Sequence, residues 1–181
     1  VLHDPILETA DDEIQNSIQR TVKQLIDAGH AVSKQTAPVS FAEIQEGHRL
    51  TMEYDIARFQ QELLDKPEGS IGPYLCEAIE RGLEIEEEAY FESRRALDNA
   101  RDIFFDHFSD TDAFLWPATP KTAPKGLEWT GDASYISPWT VLGGPGVTMP
   151  VGFSSENMPI GCLLAGTPGS DYRFASIARK I

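Results

Sequence analysis

The sequence contains few residues whose types and spacing suit catalysis. A serine hydrolase of the common α/β kind needs Gly-x-Ser-x-Gly, and the nearest approach, Gly-Ser-Ile-Gly at residues 69–72, has the wrong spacing. His107 with Asp110 or Asp112 has the types of a general base and its orienting carboxylate. These residues fall at the predicted end of a helix, however, where the helix dipole alone favours a histidine. We therefore predict no Ser-His-Asp triad.

Metal chemistry has equally little support in the residue pattern. The acidic residues of segment 84–88 fan around a predicted helix, because consecutive positions point in different directions, and no Glu-x-x-His motif accompanies them. A metal hydrolase using His3, Asp4, His107 and Asp112 stays open only if the fold brings these side chains together. The sequence predicts no metal site and no cofactor.

Composition indicates a single globular domain and restricts its partners. The chain has 181 residues, of which 41% are hydrophobic and 24% charged, with a formal net charge of −14. Nucleic acids and anionic membranes need a basic surface, so we expect neither as a partner. Cys76 and Cys162 lack CxxC or zinc-ligand spacing and are expected to be buried or half-buried thiols. We predict a cytoplasmic protein, since that compartment keeps thiols reduced.

Residues 1–36 predict a helix followed by a short strand. The acidic stretch 8–13 opens the helix with Thr9 as its cap, and Gly29 closes it. The strand follows at residues 30–36. The apolar positions that share one helix face are Ile14, Ile18, Val22, Leu25 and Ile26. This unit is typical of an α/β fold.

Residues 40–107 predict a helical segment. Ser40 and Glu43 have the spacing of a capping box, in which each residue bonds to the backbone of the other, at the start of a helix. Residues 66–73 form a linker rich in proline and glycine. The helical pattern then resumes and continues to the end of the segment, with Gly82 as a break.

Residues 112–181 change to a strand-rich pattern, which we expect to form the core. The predicted elements are a strand buried on both faces at 113–116, a long loop at 117–138, alternating strand positions at 147–151, a strand at 160–165 and a helix from 171. Pro150 implies a sheet edge, a bulge or a strand end, since it cannot donate a ladder hydrogen bond. The length of the loop is unusual for a plain connection and suggests a function.

Several motifs in this region resemble, in the same order, those of the C-terminal half of amidase-signature hydrolases. They are LWPATP at 115–120, Thr140, GPG at 144–146, MPVG at 149–152 and PIGCLLAG at 159–166. The unit around LIDAGH at 25–30 resembles the helix and strand that follow the signature region. The resemblance implies an α/β fold, the C-terminal part of a mixed-sheet α/β/α sandwich, as one partial domain over residues 1–181.

The resemblance also implies amide hydrolysis by a serine nucleophile, a cis-serine and a lysine. In such enzymes a neutral lysine takes the proton of the bridging serine, which activates the nucleophile, and backbone N–H groups hold the oxyanion. The Gly/Ser-rich region that carries this machinery is expected to precede Val1. The adjacent pair Ser154 and Ser155, and Lys121 and Lys125, lie in predicted loops outside such a region. We assign no catalytic residue in this chain.

The chain is therefore predicted to be the C-terminal portion of an amidase, which supplies scaffold and substrate-pocket wall. By resemblance, Tyr135, Trp139 and Thr140 are candidate substrate-binding residues, although Trp139 could equally pack beneath the loop. The partners implied are a small-molecule amide and the N-terminal half of the amidase domain. The oligomeric state stays open, and a homo-oligomer is compatible with the sequence.

The alternative is a catalytically inactive, free-standing binding or assembly module derived from an amidase. Such a module would have to protect the sheet edge and the apolar face that the other half covers. The predicted strands 113–116 and 160–165 carry no protective charge, which disfavours this alternative.

Overall fold

The computed structural model describes residues 1–67 and 69–181. Its helices are α1 (Asp12–Asp27), α2 (Phe41–Gln60), α3 (Pro73–Leu83), α4 (Glu87–His107), α5 (Ser137–Leu142) and α6 (Asp171–Ala178). Its strands are β1 (Leu2–His3), β2 (Gln35–Thr36), β3 (Phe114–Pro117), β4 (Gly146–Phe153) and β5 (Pro159–Ala165), and short 3-10 helices occupy Pro5–Thr9 and Gln61–Asp65. Residue 68, in the predicted linker, lies outside the described residues.

The strands form one antiparallel sheet of three strands and one parallel pair. The order of the sheet is β3-β5-β4, and β1 pairs with β2 and lies beside β3. Because β3 and β4 both run antiparallel to β5, their carboxyl ends lie at the same end of the sheet. The register of β4 shifts between Pro150 and Gly152. Of the three alternatives that Pro150 left open, an edge, a bulge or a strand end, the described sheet has Pro150 in an outer strand and at the start of this irregularity.

Helices cover both faces of the sheet. On one face, Trp116 and Leu163 pack in a core cluster with Phe41 of α2 and with residues of α4 and α5. On the other face, Leu115 and Leu164 pack with Ile18 of α1 and with α6. This alternation along β3 and β5 explains why both strands are continuously apolar. The predicted α/β/α sandwich is confirmed.

The start of the chain differs from the prediction. Thr9 does not cap α1; its hydroxyl donates to the carbonyl of Ile6 at 2.8 Å and α1 begins at Asp12. Asp4 instead organises this region, because its carboxylate accepts hydrogen bonds from the backbone N–H of Ile6 at 3.0 Å and of Phe41 at 3.2 Å. One buried side chain therefore caps the first 3-10 helix and joins it to the start of α2.

The bounds of β2 and α5 differ from the prediction, whereas the cap of α2 agrees with it. The strand predicted at 30–36 is confined to β2, which pairs with β1. Helix α5 begins inside the predicted loop 117–138, with Pro138 in its first turn, a position that proline favours. The capping side chain of Ser40 accepts from the Glu43 N–H as predicted.

Helices α2 and α3 approach each other closely at Gly82. A Cβ atom at this position would lie 2.0 Å from the carbonyl oxygen of Glu53. The buried Glu53 carboxylate also accepts from Arg49 and Arg81, both at 2.8 Å, so that it links the two helices. The predicted interruption of the helical segment is confirmed, since α3 ends at Leu83. Gly82 itself is still helical, and its role is to allow the contact.

Both cysteines lie where the sequence predicts them. Cys76 is half-buried and Cys162 is buried, with no disulfide between them. Burial raises the pKa of the Cys162 thiol to about 12, which makes it unreactive at neutral pH. No helix within residues 1–67 and 69–181 combines the length and the apolar composition that crossing a membrane requires.

Gly82→Ala is expected to destabilise the protein by about 1–3 kcal/mol or more, because the added methyl group must push α3 away from α2. The measurement is the free energy of unfolding from urea titration. The matched control is Gly72→Ala, since Gly72 has negative φ and no neighbouring atom within 4 Å of an added Cβ. Equal stability of the two variants would contradict the close approach.

Candidate functional site

The candidate site consists of Tyr135, Trp139 and Thr140, on α5 and on the connection that leaves β3 at its carboxyl end. Residues 118–136 leave β3 here and lead into α5, which carries two of the three predicted substrate-binding residues. Hydrogen bonds from α1 and α2 help to hold the path of this connection. The Asp11 N–H donates to the carbonyl of Pro120 at 2.9 Å, and the Gln45 amide donates to the carbonyl of Ser134. The site is thus built from the long loop that the sequence singles out.

Tyr135 is fully buried and fixes the end of the loop. Its hydroxyl donates to the carbonyl of Ile6 at 2.9 Å and lies 3.1 Å from the hydroxyl of Thr9, while its own carbonyl accepts from the indole of Trp116 at 3.0 Å. Burial raises the pKa of the phenol, with partial opposition from the Thr9 hydrogen bond, so that Tyr135 stays neutral and donates. In this chain it joins the loop to the 3-10 helix at Pro5–Thr9.

Trp139 lies in an aromatic cluster beneath the loop. Its ring packs against those of Phe41, Phe104, Phe114 and Trp116, with centroids between 5.7 and 6.1 Å apart. Within residues 1–67 and 69–181, its indole nitrogen is the buried side-chain polar atom that has no hydrogen-bond partner. A buried N–H that donates to no acceptor is costly, so this indole lowers the stability of the cluster relative to one with a hydrogen-bond partner.

Thr140 differs from its two neighbours in the candidate set because it is exposed. It follows Trp139 on α5, and its hydroxyl donates weakly, at 3.4 Å, to the carbonyl of Ile136. Of the three residues it is the one whose side chain can meet a small molecule without rearrangement. The substrate-binding role of Tyr135, Trp139 and Thr140 stays a prediction.

The glycines after α5 allow the backbone to return tightly toward the sheet. Gly143 ends α5 in the left-handed conformation, with φ of 71°. A Cβ atom on Gly144 would lie 1.9 Å from the carbonyl oxygen of Gly166. The GPG motif therefore serves close contact between backbones, as its position before a strand indicates.

The adjacent serines belong to the turn between β4 and β5. The Ser154 hydroxyl accepts from the N–H of Met158 at 3.1 Å, and the Ser155 N–H donates to Glu13 at 2.8 Å. Lys125 forms an ion pair with Glu156 at 2.9 Å. Throughout the described part of the chain, no hydrogen bond joins a lysine to a serine hydroxyl. These residues thus form no lysine–serine array of the kind that amide hydrolysis needs.

The fold does not support the alternative of a metal hydrolase that uses His3, Asp4, His107 and Asp112. No group of three or more His, Cys, Asp or Glu side chains in the described ranges is placed to hold a metal ion. Asp4 is committed to two backbone N–H groups, and Asp112 pairs with Arg173. The residues that this alternative requires are therefore not assembled.

A cavity of about 720 Å³ lies elsewhere, between β1 and α1. Its lining is mainly apolar and includes Leu2, Ile14, Ile18, Val22, Val32 and Pro117. Its volume is typical of small-molecule sites, but Tyr135, Trp139 and Thr140 do not contribute to it. No described polar side chain is buried and aimed into it without a partner, so we do not assign it a ligand.

The sequence model of the amidase family matches residues 1–174. The chain therefore belongs to the amidase family, and the resemblance of its motifs to amidase-signature hydrolases is confirmed. Mandelamide hydrolase of Pseudomonas putida is 36% identical over 87 residues, which cover 44% of this chain and 17% of that protein. One subunit of the glutamyl-tRNA(Gln) amidotransferase of Alkaliphilus metalliredigens is 25% identical over an alignment of 199 residues, which covers 92% of this chain and 40% of that subunit.

Solved structures agree with this assignment at the level of the fold. A crystal structure of an amidase superposes with a TM-score of 0.83 at 21% identity, over 95% of this chain and 42% of that chain. A 6-aminohexanoate cyclic dimer hydrolase in complex with its substrate superposes with a TM-score of 0.74 at 18% identity, over 94% and 41% respectively. The chain thus spans less than half the length of these relatives.

Sequence reasoning missed the organising role of Asp4, which it considered only as a metal ligand. The local signal was present, because Asp4 precedes Pro5, and aspartate followed by proline is typical of a helix start. The hydrogen bond from the Phe41 N–H to Asp4 could not be predicted from local sequence, because 36 residues separate the two positions and only the tertiary fold brings them together.

Trp116→Phe is expected to cost about 1 kcal/mol more than Trp139→Phe in the free energy of unfolding, because it leaves the buried carbonyl of Tyr135 without its donor. Both changes remove similar volume from the same aromatic cluster, so each serves as the control for the other. Urea titration of the two variants provides the comparison. Equal losses would mean that the Trp139 N–H has a partner after all.

Proposed function

We propose that this chain is the C-terminal portion of an amide-hydrolysing enzyme and supplies its scaffold and substrate-pocket wall. The observation that carries the proposal is the match of the amidase family to residues 1–174 of a chain that spans 42% of a similar amidase. The substrate class is a small carboxylic amide, whose C–N bond is hydrolysed. The nucleophilic serine, the cis-serine and the lysine belong to a portion of the enzyme that the described residues do not include.

The partner in this proposal is the N-terminal portion of the amidase domain, and the open edge of β4 is its docking site. Side chains of β3 and β5 are almost all buried, but most of β4 is exposed, including Val147 at 37% and Phe153 at 65%. Strand β4 carries no charged residue, and its outer edge pairs with no strand in the described ranges. Sheet edges in free-standing proteins are normally charged or covered. A strand from the partner would complete the sheet.

In this proposal the pocket wall consists of one exposed residue that contacts the substrate and two buried residues that hold the wall in place. Thr140 offers a hydroxyl to the polar amide group, because its side chain reaches solvent on α5. Tyr135 and Trp139 act from beneath, since Tyr135 fixes the loop and Trp139 fills the cluster under α5. The buried indole N–H of Trp139 has no hydrogen-bond partner among the described residues.

The chain alone is expected to hydrolyse no amide, because residues 1–67 and 69–181 contain no lysine–serine array. The assay is release of ammonia from simple carboxylic amides. The rate should rise to that of an amidase when the N-terminal portion is supplied, either joined in one chain or added in trans. Ser154→Ala and Ser155→Ala should leave the restored rate unchanged, since both residues serve the turn between β4 and β5. Hydrolysis by the chain alone that disappears in either variant would contradict the proposal.

Thr140→Val in the completed enzyme is expected to raise KM about tenfold with little change in kcat, which is the pattern for loss of one hydrogen bond that substrate and transition state share. Steady-state kinetics with one amide substrate measures the effect. The matched control is Ser137→Ala on the same helix, where the hydroxyl donates to the carbonyl of Ala133 at 3.1 Å. A KM that changes equally in both variants would indicate a general effect on α5.

The alternative of an inactive binding or assembly module fits these observations less well. A free-standing module would leave the uncharged β4 edge open to aggregation. Failure of the N-terminal portion to restore activity, with the chain still folded and monomeric by itself, would favour the module.

A further inference from the structure

Helix α2 carries one largely apolar face along its whole length. The residues that share this face recur at spacings of three and four positions, which is the repeat of an amphipathic helix. They are Phe41, Ile44, His48, Met52, Ile56 and Phe59, here called the α2 stripe. A stripe of this kind normally faces the core of a domain, with polar residues on the opposite side of the helix.

The rest of this chain covers the start of the α2 stripe but not its end. Phe41 and Ile44 are 0% and 2% exposed and belong to the core cluster that α2 forms with the sheet, α4 and α5. His48 is half-buried, and burial lowers the pKa of its imidazole. Met52 is 42% exposed and Phe59 is 81% exposed. Exposure therefore increases along one helix face, although the side chains at its end are as apolar as those at its start.

The neighbouring helices pack on other faces of α2. Tyr54 stacks on Tyr90 of α4 with ring centroids 4.3 Å apart, and the Glu53 carboxylate binds Arg81 of α3 at 2.8 Å. Both contact residues of α2 lie within two positions of Met52, and residues so close in a helix point in different directions. Helices α3 and α4 are thus held beside the stripe and leave its end exposed.

The length of similar enzymes indicates what covers this surface. The chain superposes on an amidase over 95% of its own length but over only 42% of that protein. The greater part of such an enzyme therefore lies outside this chain. Monomeric proteins rarely expose contiguous apolar surface, and the exposed half of the stripe continues a buried core on the same helix face. A surface of this kind is expected where one domain has been divided.

We propose that the N-terminal portion of the amidase domain docks on the exposed half of the α2 stripe and completes the core there. This inference rests on the proposed function for the identity of the partner. It adds a contact between side chains to the β4 edge, where the partner pairs through its backbone. Asp55 lies three positions after Met52 and four before Phe59, and so on the same face. The docking surface of the partner is therefore apolar, with a hydrogen-bond donor or a cation opposite Asp55.

Docking is tested by thiol labelling of the 181-residue chain and of the completed enzyme, in which the N-terminal portion is joined to it. Cys76→Ser removes the half-buried native thiol from both, and Cys162 is buried. In this background Phe59→Cys should react with a maleimide at least about tenfold more slowly in the completed enzyme, because a covered thiol reacts only after local opening. The matched control is Glu88→Cys, at an exposed position in the charged stretch 84–88, which should react equally in both forms.

A second position keeps the test independent of the truncation at Phe59. Met52→Cys lies two turns earlier on the stripe and should show the same protection in the completed enzyme. Equal labelling of the 181-residue chain and the completed enzyme at both stripe positions would overturn the proposal. Equal protection of the Glu88→Cys control would overturn it as well, because the protection would not be specific to the stripe.

The same labelling distinguishes a second copy of this chain from the N-terminal portion. Labelling of Phe59→Cys in the 181-residue chain that slows as protein concentration rises would mean that a second copy covers the stripe, and this would overturn the proposal. Labelling does not depend on catalysis. Normal amide hydrolysis with Phe59→Cys and Met52→Cys unprotected would overturn the docking surface and leave the proposed function intact. Protection at both positions in a completed enzyme that hydrolyses no amide would overturn the proposed function and support the docking surface.

Discussion

Burial of the Trp116 indole among Phe41, Tyr135 and Trp139 joins the parts of this protein that are distant in sequence. Its ring lies 5.0, 5.7 and 6.1 Å from those three rings, and its N–H donates to the Tyr135 carbonyl. Helix α2, strand β3 and the start of α5 therefore meet at one side chain. Large aromatic contacts of this kind contribute strongly to stability because they bury much apolar area with defined geometry. The candidate site takes its shape from this contact, since Tyr135 and α5 form its floor.

Around this centre, polar groups in the interior fix the directions in which the elements meet. Asp4 brings the first 3-10 helix to the start of α2, and Glu53 with Arg49 and Arg81 holds α2 against α3. Each buried carboxylate is satisfied by hydrogen bonds, as burial of a charge requires. These contacts tie the helices to one another on that side of the protein. The β4 edge is the contrasting side, where the sheet is open and uncharged.

The elements that the described residues form agree with the role that we propose for this chain in a larger amidase. The described residues provide a sheet covered on both faces, but no assembled nucleophile. Catalysis in hydrolases depends on groups held within a fraction of an ångström, which favours a rigid frame beneath the reacting atoms. This chain supplies the frame in the function that we propose.

The sequence by itself determined the fold class, most helices, the strands β3 and β5, and the family. These follow from local spacing, from continuous apolar runs and from motifs in a fixed order, which all act over short stretches of chain. Tertiary structure decided what depends on distant residues. Thr9 contacts Tyr135 and does not cap α1, and the strand predicted at 30–36 is limited to the two residues that pair with β1. Tyr135 and Trp139 are buried, whereas Thr140 is exposed. Exposure at α5 depends on how Phe41 and Trp116 pack beneath it, and no local pattern contains that information.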